Sequence, residues 1–209
     1  MTAVYELPPE FVVAQLDAVF SDIGVDAAKT GMLLSARLIE TVVDYLAANP
    51  VQLVVDPVLV ASSGAQLLQA DARDVLVRRL FPLATVVTPN LHEARALTGL
   101  DGDRQALAVR LHELGAPAVI VTGGHGEDAV DWLFDGTRHV PIPVERHAVA
   151  ATHGAGCTHS ATLAAELAKG APLEEAARTA ARVTSRAVAC GLAGIGAGDG
   201  PVDVLAGFR

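Results

Sequence analysis

Short β-branched runs alternate with stretches of helical periodicity along this chain, and the alternation leaves few folds open to it. Residues 51–55, 84–88 and 118–122 are apolar runs of strand length bounded by turn residues. Ahead of them, Pro9 suits a first helical position, and Val12, Leu16, Val19, Phe20 and Ile23 recur on one face. Ser35 is placed to cap a second helix whose stripe is Leu38, Ile39, Val42, Val43 and Leu46, closed by Asn49-Pro50. Residues 71–81, 91–98 and 103–114 predict further helices, and two Ala-rich ones follow at 158–169 and 173–190. Residues 129–134 and 137–142 flank Asp135-Gly136, a strong hairpin signal, so an antiparallel pair is expected beside otherwise parallel strands. The sum predicts an α/β fold: a three-layer αβα sandwich with a mostly parallel central sheet and helices on both faces. No linker, repeat or low-complexity segment divides the 209 residues, which favours a single domain, 1–209.

Charge and apolar run lengths narrow the function classes. A net charge of −9, no basic cluster and 4% aromatic residues argue against a nucleic-acid surface. Asp56-Pro57 interrupts the longest apolar stretch, far short of the roughly 18 residues a membrane helix needs. Cys157 and Cys190 lie apart in a chain without a secretory signal, so reduced thiols in a cytoplasmic protein are expected. No nucleic acid and no membrane then leaves a small-molecule ligand as the expected partner.

Open α/β sheets bind ligands beyond the carboxyl ends of their strands, and four such ends carry notable residues here. Asp56, in Asp56-Pro57-Val58, could hold Mg²⁺ or orient a hydroxyl, although Asp-Pro is also a common strand stop. Asn90 and Glu93 have the spacing of a capping box, which needs no ligand, and equally of oxygen donors toward a hydrated Mg²⁺ on a nucleotide. Gly123-Gly124-His125-Gly126 reads as a loose turn or as a phosphate-approaching loop. The fourth segment, Ala151-Thr152-His153-Gly154-Ala155-Gly156-Cys157-Thr158, opens directly into a helix. Its glycines allow a tight turn, and the free N–H groups of a first helical turn favour an anion. Cys157 at that positive end is the kind of thiol that acts as a thiolate base or nucleophile; packing roles for the glycines and the cysteine are the alternative. The run from Gly191 to Gly200 follows a helix and opens none, so it reads as a closing loop.

In order along the chain, Lys29-Thr30-Gly31-Met32-Leu33, Val54-Val55-Asp56-Pro57-Val58, Thr88-Pro89-Asn90-Leu91-His92-Glu93, Gly123-Gly124-His125, Gly154-Ala155-Gly156-Cys157-Thr158 and Gly198-Asp199-Gly200-Pro201-Val202 resemble the hydroxymethylpyrimidine and phosphomethylpyrimidine kinases of thiamine biosynthesis, in the ribokinase-like superfamily. The resemblance implies ATP-dependent phosphorylation of hydroxymethylpyrimidine, its monophosphate or both, with pyridoxine kinases as related alternatives. It implies that Met32 and Val58 line the pyrimidine site. It further implies that Asn90, Glu93, Thr122, Gly123 and Gly124 serve Mg-ATP, with Asp56 and Glu93 toward the metal. Gly154, Ala155 and Gly156 would form the anion hole, and Cys157 would stand where sugar-kinase relatives carry a catalytic Asp.

The chain departs from the family pattern at three points. Thr122 stands where a Lys is usual, and Ala151 where Asn or Asp is usual. The family's Gly-Ser-Asp front segment has no counterpart, so the resemblance implies an N-terminally truncated fold with exposed strand edges that a homo-oligomer could cover. A second reading of different class follows: a non-catalytic remnant that acts by nucleotide binding or association.

Overall fold

The computed structural model describes residues 3–59, 68–69, 71–124 and 129–206. Six strands form one sheet in the order of the chain: β1 (Ala27–Thr30), β2 (Gln52–Val55), β3 (Val86–Val87), β4 (Val119–Val121), β5 (Val130–Phe134) and β6 (His139–Pro143). The first four are parallel, with Lys29 opposite Val54 and Val54 opposite Val86. The Asp135-Gly136 turn, with Gly136 at φ +92°, reverses the chain, so β5 and β6 run antiparallel as the turn residues predict.

Side chains alternate across the sheet and divide the core in two. Leu53, Val55, Val87, Val119, Val121 and Phe134 face a layer built from α2 (Ala36–Ala48), α3 (Ala72–Val75), α4 (Leu91–Thr98) and α5 (Arg104–Glu113). Val54, Val86, Ile120, Leu133, Val140 and Ile142 face α6 (Ala155–Ala168) and α7 (Leu173–Ala189). This is the three-layer sandwich the alternation predicts. The face α7 buries is made of alanine alone: Ala176, Ala177, Ala180, Ala181 and Ala187. With no side chain longer than a methyl group, α7 lies close against its neighbours.

Helix starts follow their caps. Ser35 accepts the Leu38 N–H at 3.2 Å, and Asp103 accepts that of Ala106 at 2.8 Å. The 71–81 stretch is not one regular helix. A single α-turn passes into a π-turn at Leu76–Leu80 and a 3₁₀-turn at Phe81–Leu83, where Pro82, lacking an N–H, ends the run while Leu80 and Phe81 anchor it in the core. α1 (Pro9–Asp22) forms where the periodicity places it, yet none of its residues is buried, and Val19 and Ile23 stay exposed. Only Val12 and Phe20 reach the core, Phe20 edge-on to Tyr45. Among the described residues no helix is long and apolar enough to cross a membrane.

Candidate active site

Of the four segments singled out by their residues, those after β2, β3 and β4 open at the carboxyl edge of the sheet, whereas 151–158 follows no strand directly, since β6 ends at Pro143, and meets that edge through α6. On the side facing α6, the residues two beyond Val54 and Val86 are Asp56 and Thr88, which the register sets side by side, while Thr122, two beyond Ile120, lies one step further along that edge, level with Asn90. Asp56 is buried, and its Oδ2 accepts the Ser160 hydroxyl of α6 at 2.9 Å. The Lys29 ammonium, from the end of β1, lies 3.3 Å from the same oxygen. A Cβ on Gly31 would come within 2.9 Å of the Lys29 amine, so the bare backbone there leaves the ammonium room beside Asp56. The hydroxyl of Thr88 is buried without a hydrogen-bond partner among the described residues, and is free to meet a ligand or water from the strand ends.

Asn90 and Glu93 form a complete capping box at the start of α4. Asn90 Oδ1 accepts the Glu93 N–H, and Glu93 Oε2 accepts the Asn90 N–H, each at 2.9 Å. Glu93 is also buried, and its carboxyl is pushed up to about 7, first by burial and further by the negative charge of Asp56, against the opposing pull of the Asn90 and Leu59 amides. The capping reading of this motif is realised, and the cap holds a buried carboxyl beside Asp56. Asp56 Oδ2 and Glu93 Oε2 are already engaged by protein donors, and among the described residues no three of His, Cys, Asp or Glu gather as a metal cluster. This donor set fits a Mg²⁺ that keeps its waters and meets the carboxylates through them.

The raised Glu93 carboxyl sets a pH dependence. In the unfolded chain it ionises near 4.5, while in the fold it keeps its proton to about 7. Between those values the folded state binds more protons, so stability falls as pH rises through the window, by at most about 3 kcal/mol from this group. Glu93→Gln cannot ionise. Its urea midpoint relative to wild type, in metal- and nucleotide-free buffer, is expected to improve from about pH 5 to about pH 7.5. A constant difference across that range would contradict the assignment.

The Gly-rich turn before α6 is shaped as its residues suggest. Gly154 caps the helix at φ +87°, a conformation that favours glycine, and no side chain caps the end. Gly156 and Cys157 lie in the first turn, where amides have no intrahelical acceptor, and the Cys157 side chain is exposed. The turn is held from behind: the His153 N–H donates to Gly200 O, the Val202 N–H donates to His153 O, and Val202 packs against Gly154. The run before Pro201 thus closes onto the turn as a loop. Ala151 is buried between Gly191 and Gly200; Cβ atoms built on them would stand 2.6 and 3.2 Å from its own, so the pocket admits a small residue.

Beyond β4, Thr122 bridges to Asn90, which brings the third and fourth strand ends together. The Gly123 N–H is spent inside the fold, donating to Asp131 Oδ1 at 2.6 Å, whereas Gly124 is exposed, with open space about it among the described residues. His125 and Gly126 lie outside the described residues. Met32 is exposed two residues past β1, and Val58 is half-buried three past β2, on neighbouring strand ends.

Four residues of this region carry no role in a motif-based reading: Lys29, Ser160, Asp131 and His159. Two had a signal. Asp131 interrupts an apolar strand at an inward position, two residues from the buried Leu133, and Ser160 sits one helical turn beyond Gly156. Lys29 stands on a strand too short to show periodicity.

Comparison with known proteins agrees with this geometry. The family model for phosphomethylpyrimidine kinase matches residues 1–203. A hydroxymethylpyrimidine/phosphomethylpyrimidine kinase of Rhizobium meliloti is 45% identical over 97% of this chain and 79% of its own length. The thiamine biosynthesis bifunctional protein ThiED of Geobacter sulfurreducens is also 45% identical over 97% of the chain, which spans 43% of that longer protein. The ADP complex of Bacillus subtilis pyridoxal kinase superposes with a TM-score of 0.89 at 37% identity, covering 98% of this chain and 79% of that one. The ordered strand-end motifs, the three-layer fold and these matches agree: this chain belongs to the phosphomethylpyrimidine kinase family.

Proposed function

We propose that the chain transfers the γ-phosphoryl group of ATP to hydroxymethylpyrimidine, to its monophosphate, or to both. The observation that carries this reading is the uncapped first turn of α6, where Gly156 and Cys157 present amides and an exposed thiol beside the strand ends. Phosphoryl transfer needs positioning and fixed positive charge more than covalent chemistry, and a helix N-terminus supplies both. The acceptor oxygen, from the hydroxymethyl group of the free pyrimidine or from the phosphate of its monophosphate, attacks the γ-phosphorus, and the bond from that phosphorus to the β–γ bridging oxygen breaks. The electron pair leaves with ADP. A hydroxymethyl acceptor passes its proton to the Cys157 thiolate, whereas an ionised phosphate oxygen has none to pass. The amides of the α6 turn face the charge carried by the equatorial oxygens. Met32 and Val58 flank the ring of the acceptor, and Gly124 approaches the nucleotide. Asp56 and Glu93 would hold a hydrated Mg²⁺, which neutralises phosphate charge when bound. The domain, 1–209, acts as one unit in this reading.

The similarity to a pyridoxal kinase favours a second acceptor, since the two share this scaffold. Coupled ADP release with ATP, Mg²⁺ and each of hydroxymethylpyrimidine, its monophosphate and pyridoxal decides between them. Turnover confined to pyridoxal would replace the pyrimidine reading. No turnover, with Mg-ATP binding retained in calorimetry, would favour the non-catalytic reading that Thr122 in place of lysine suggests.

A further inference from the structure

Two side chains buried beneath the site have no part in the chemistry above. Asp131 of β5 and His159 of α6 are each 4% exposed. A carboxylate placed in an apolar strand is costly unless its oxygens are satisfied. One oxygen accepts the Gly123 N–H at 2.6 Å, a short charge-assisted bond, and the other lies 3.5 Å from His159 Nε2. Neither ring nitrogen of His159 has a hydrogen-bond partner among the described residues, so the carboxylate is the charge that the ring faces. Each end of this link leads to the site. Gly123 directly precedes the exposed Gly124, and His159 stands two residues beyond Cys157 in α6. Gly123 has no slack, because its backbone lies against that of Val130 too closely to admit a Cβ.

We infer that Asp131 and His159 are positioning residues: the carboxylate anchors the Gly123–Gly124 turn to β5 and, through the imidazole, to α6, so that loop and helix keep one separation. The assignment rests on the kinase reading in taking that turn to face the nucleotide and α6 to face the transferred phosphate. It adds that the spacing of the two is set by a buried pair that touches neither substrate.

Three variants test it. Asp131→Ala removes both contacts, Asp131→Asn keeps an acceptor for the Gly123 N–H but no charge for the ring, and His159→Phe keeps the Gly123 anchor while cutting the link to α6. Asp131→Ala is expected to raise KM for ATP about tenfold or more with KM for the acceptor within about twofold. Asp131→Asn should return KM for ATP to within about threefold of wild type, and His159→Phe should lower kcat at least about fivefold with KM for ATP little changed. Hydrogen exchange of the Gly123 amide in the nucleotide-free protein should be faster in Asp131→Ala and near wild type in Asp131→Asn. That readout needs no turnover, so an inactive wild-type chain would sink the kinase reading while still deciding the anchor. Gly123 exchange unchanged in a folded Asp131→Ala, or both KM values rising together, would overturn the inference. If Asp131→Ala does not fold, the other two decide: His159→Phe with wild-type kcat overturns the link to α6.

Discussion

Alanine at position 123 is expected to cost this protein about 3–6 kcal/mol, most of the margin of an ordinary domain. A Cβ there would stand 2.3 Å from the Val130 carbonyl oxygen, 2.6 Å from its carbon and 2.9 Å from its nitrogen. These are backbone atoms of a strand paired on both sides, with Val130 opposite Pro143 and Trp132, Leu133 and Phe134 opposite β4, so no side-chain rotation relieves the contact. The strand or the turn must move, and either motion lengthens the bond from the Gly123 N–H to Asp131, leaving a buried carboxylate short of a donor. Overpacking supplies about 1–3 kcal/mol of the loss and the weakened charged hydrogen bond the remainder. Thermal unfolding should begin about 10 °C lower or more. Gly124→Ala is the control: among the described residues nothing lies within 4 Å of its Cβ, and its midpoint should stay within about 0.5 kcal/mol of wild type. Equal midpoints for the two variants would refute the packing account.

Cys157→Ala should leave the fold intact and lower kcat by about 10²–10⁴, the range for removing a general base. The side chain is exposed, so no cavity opens and the unfolding midpoint should hold. The uncapped amides of the first turn of α6 belong to the backbone and survive the substitution, so KM for ATP should change little. Serine is expected to fall near alanine, because a hydroxyl is a far weaker base than a thiolate. Chemical modification of the thiol belongs in a Cys190→Ser background, since Cys190 is exposed too. A Cys157→Ala enzyme with wild-type turnover would leave the uncapped helix as the whole catalytic device.

The fold is legible in the sequence wherever a residue type has one local use. Ser35 and Asp103 announce helix starts, Asp135-Gly136 announces the hairpin, and the Val-rich runs announce the central strands. β1 is not announced: Ala27–Thr30 is a short edge strand, mostly half-buried, with too few apolar residues to alternate visibly. Nor is the failed burial of α1, since its spacing matches a core helix and only tertiary contact decides which stripes find a partner. In the site, residues that serve through backbone shape are the legible ones, such as Gly154 with its positive φ. The unreadable ones act across the fold: Ser160 meets Asp56 from 104 residues away, and Lys29 meets the same carboxylate from a neighbouring strand. Pairings of that kind leave no local spacing to detect.

The alanine face of α7 bears on how the site responds to heat. Ordering a long side chain spends conformational entropy, whereas an alanine has no rotamers to lose, so the buried alanines of α7 add almost no side-chain entropic cost to a layer whose longer side chains come from α6 and the sheet. It also has none to regain on warming. Rotamer hopping, which softens a leucine-filled interface first, has nothing to act on among Ala176, Ala177, Ala180 and Ala181. The side of the α6 seat that α7 supplies is therefore expected to keep its shape on warming, and any softening there to start from Leu163 and Leu167 of α6 itself.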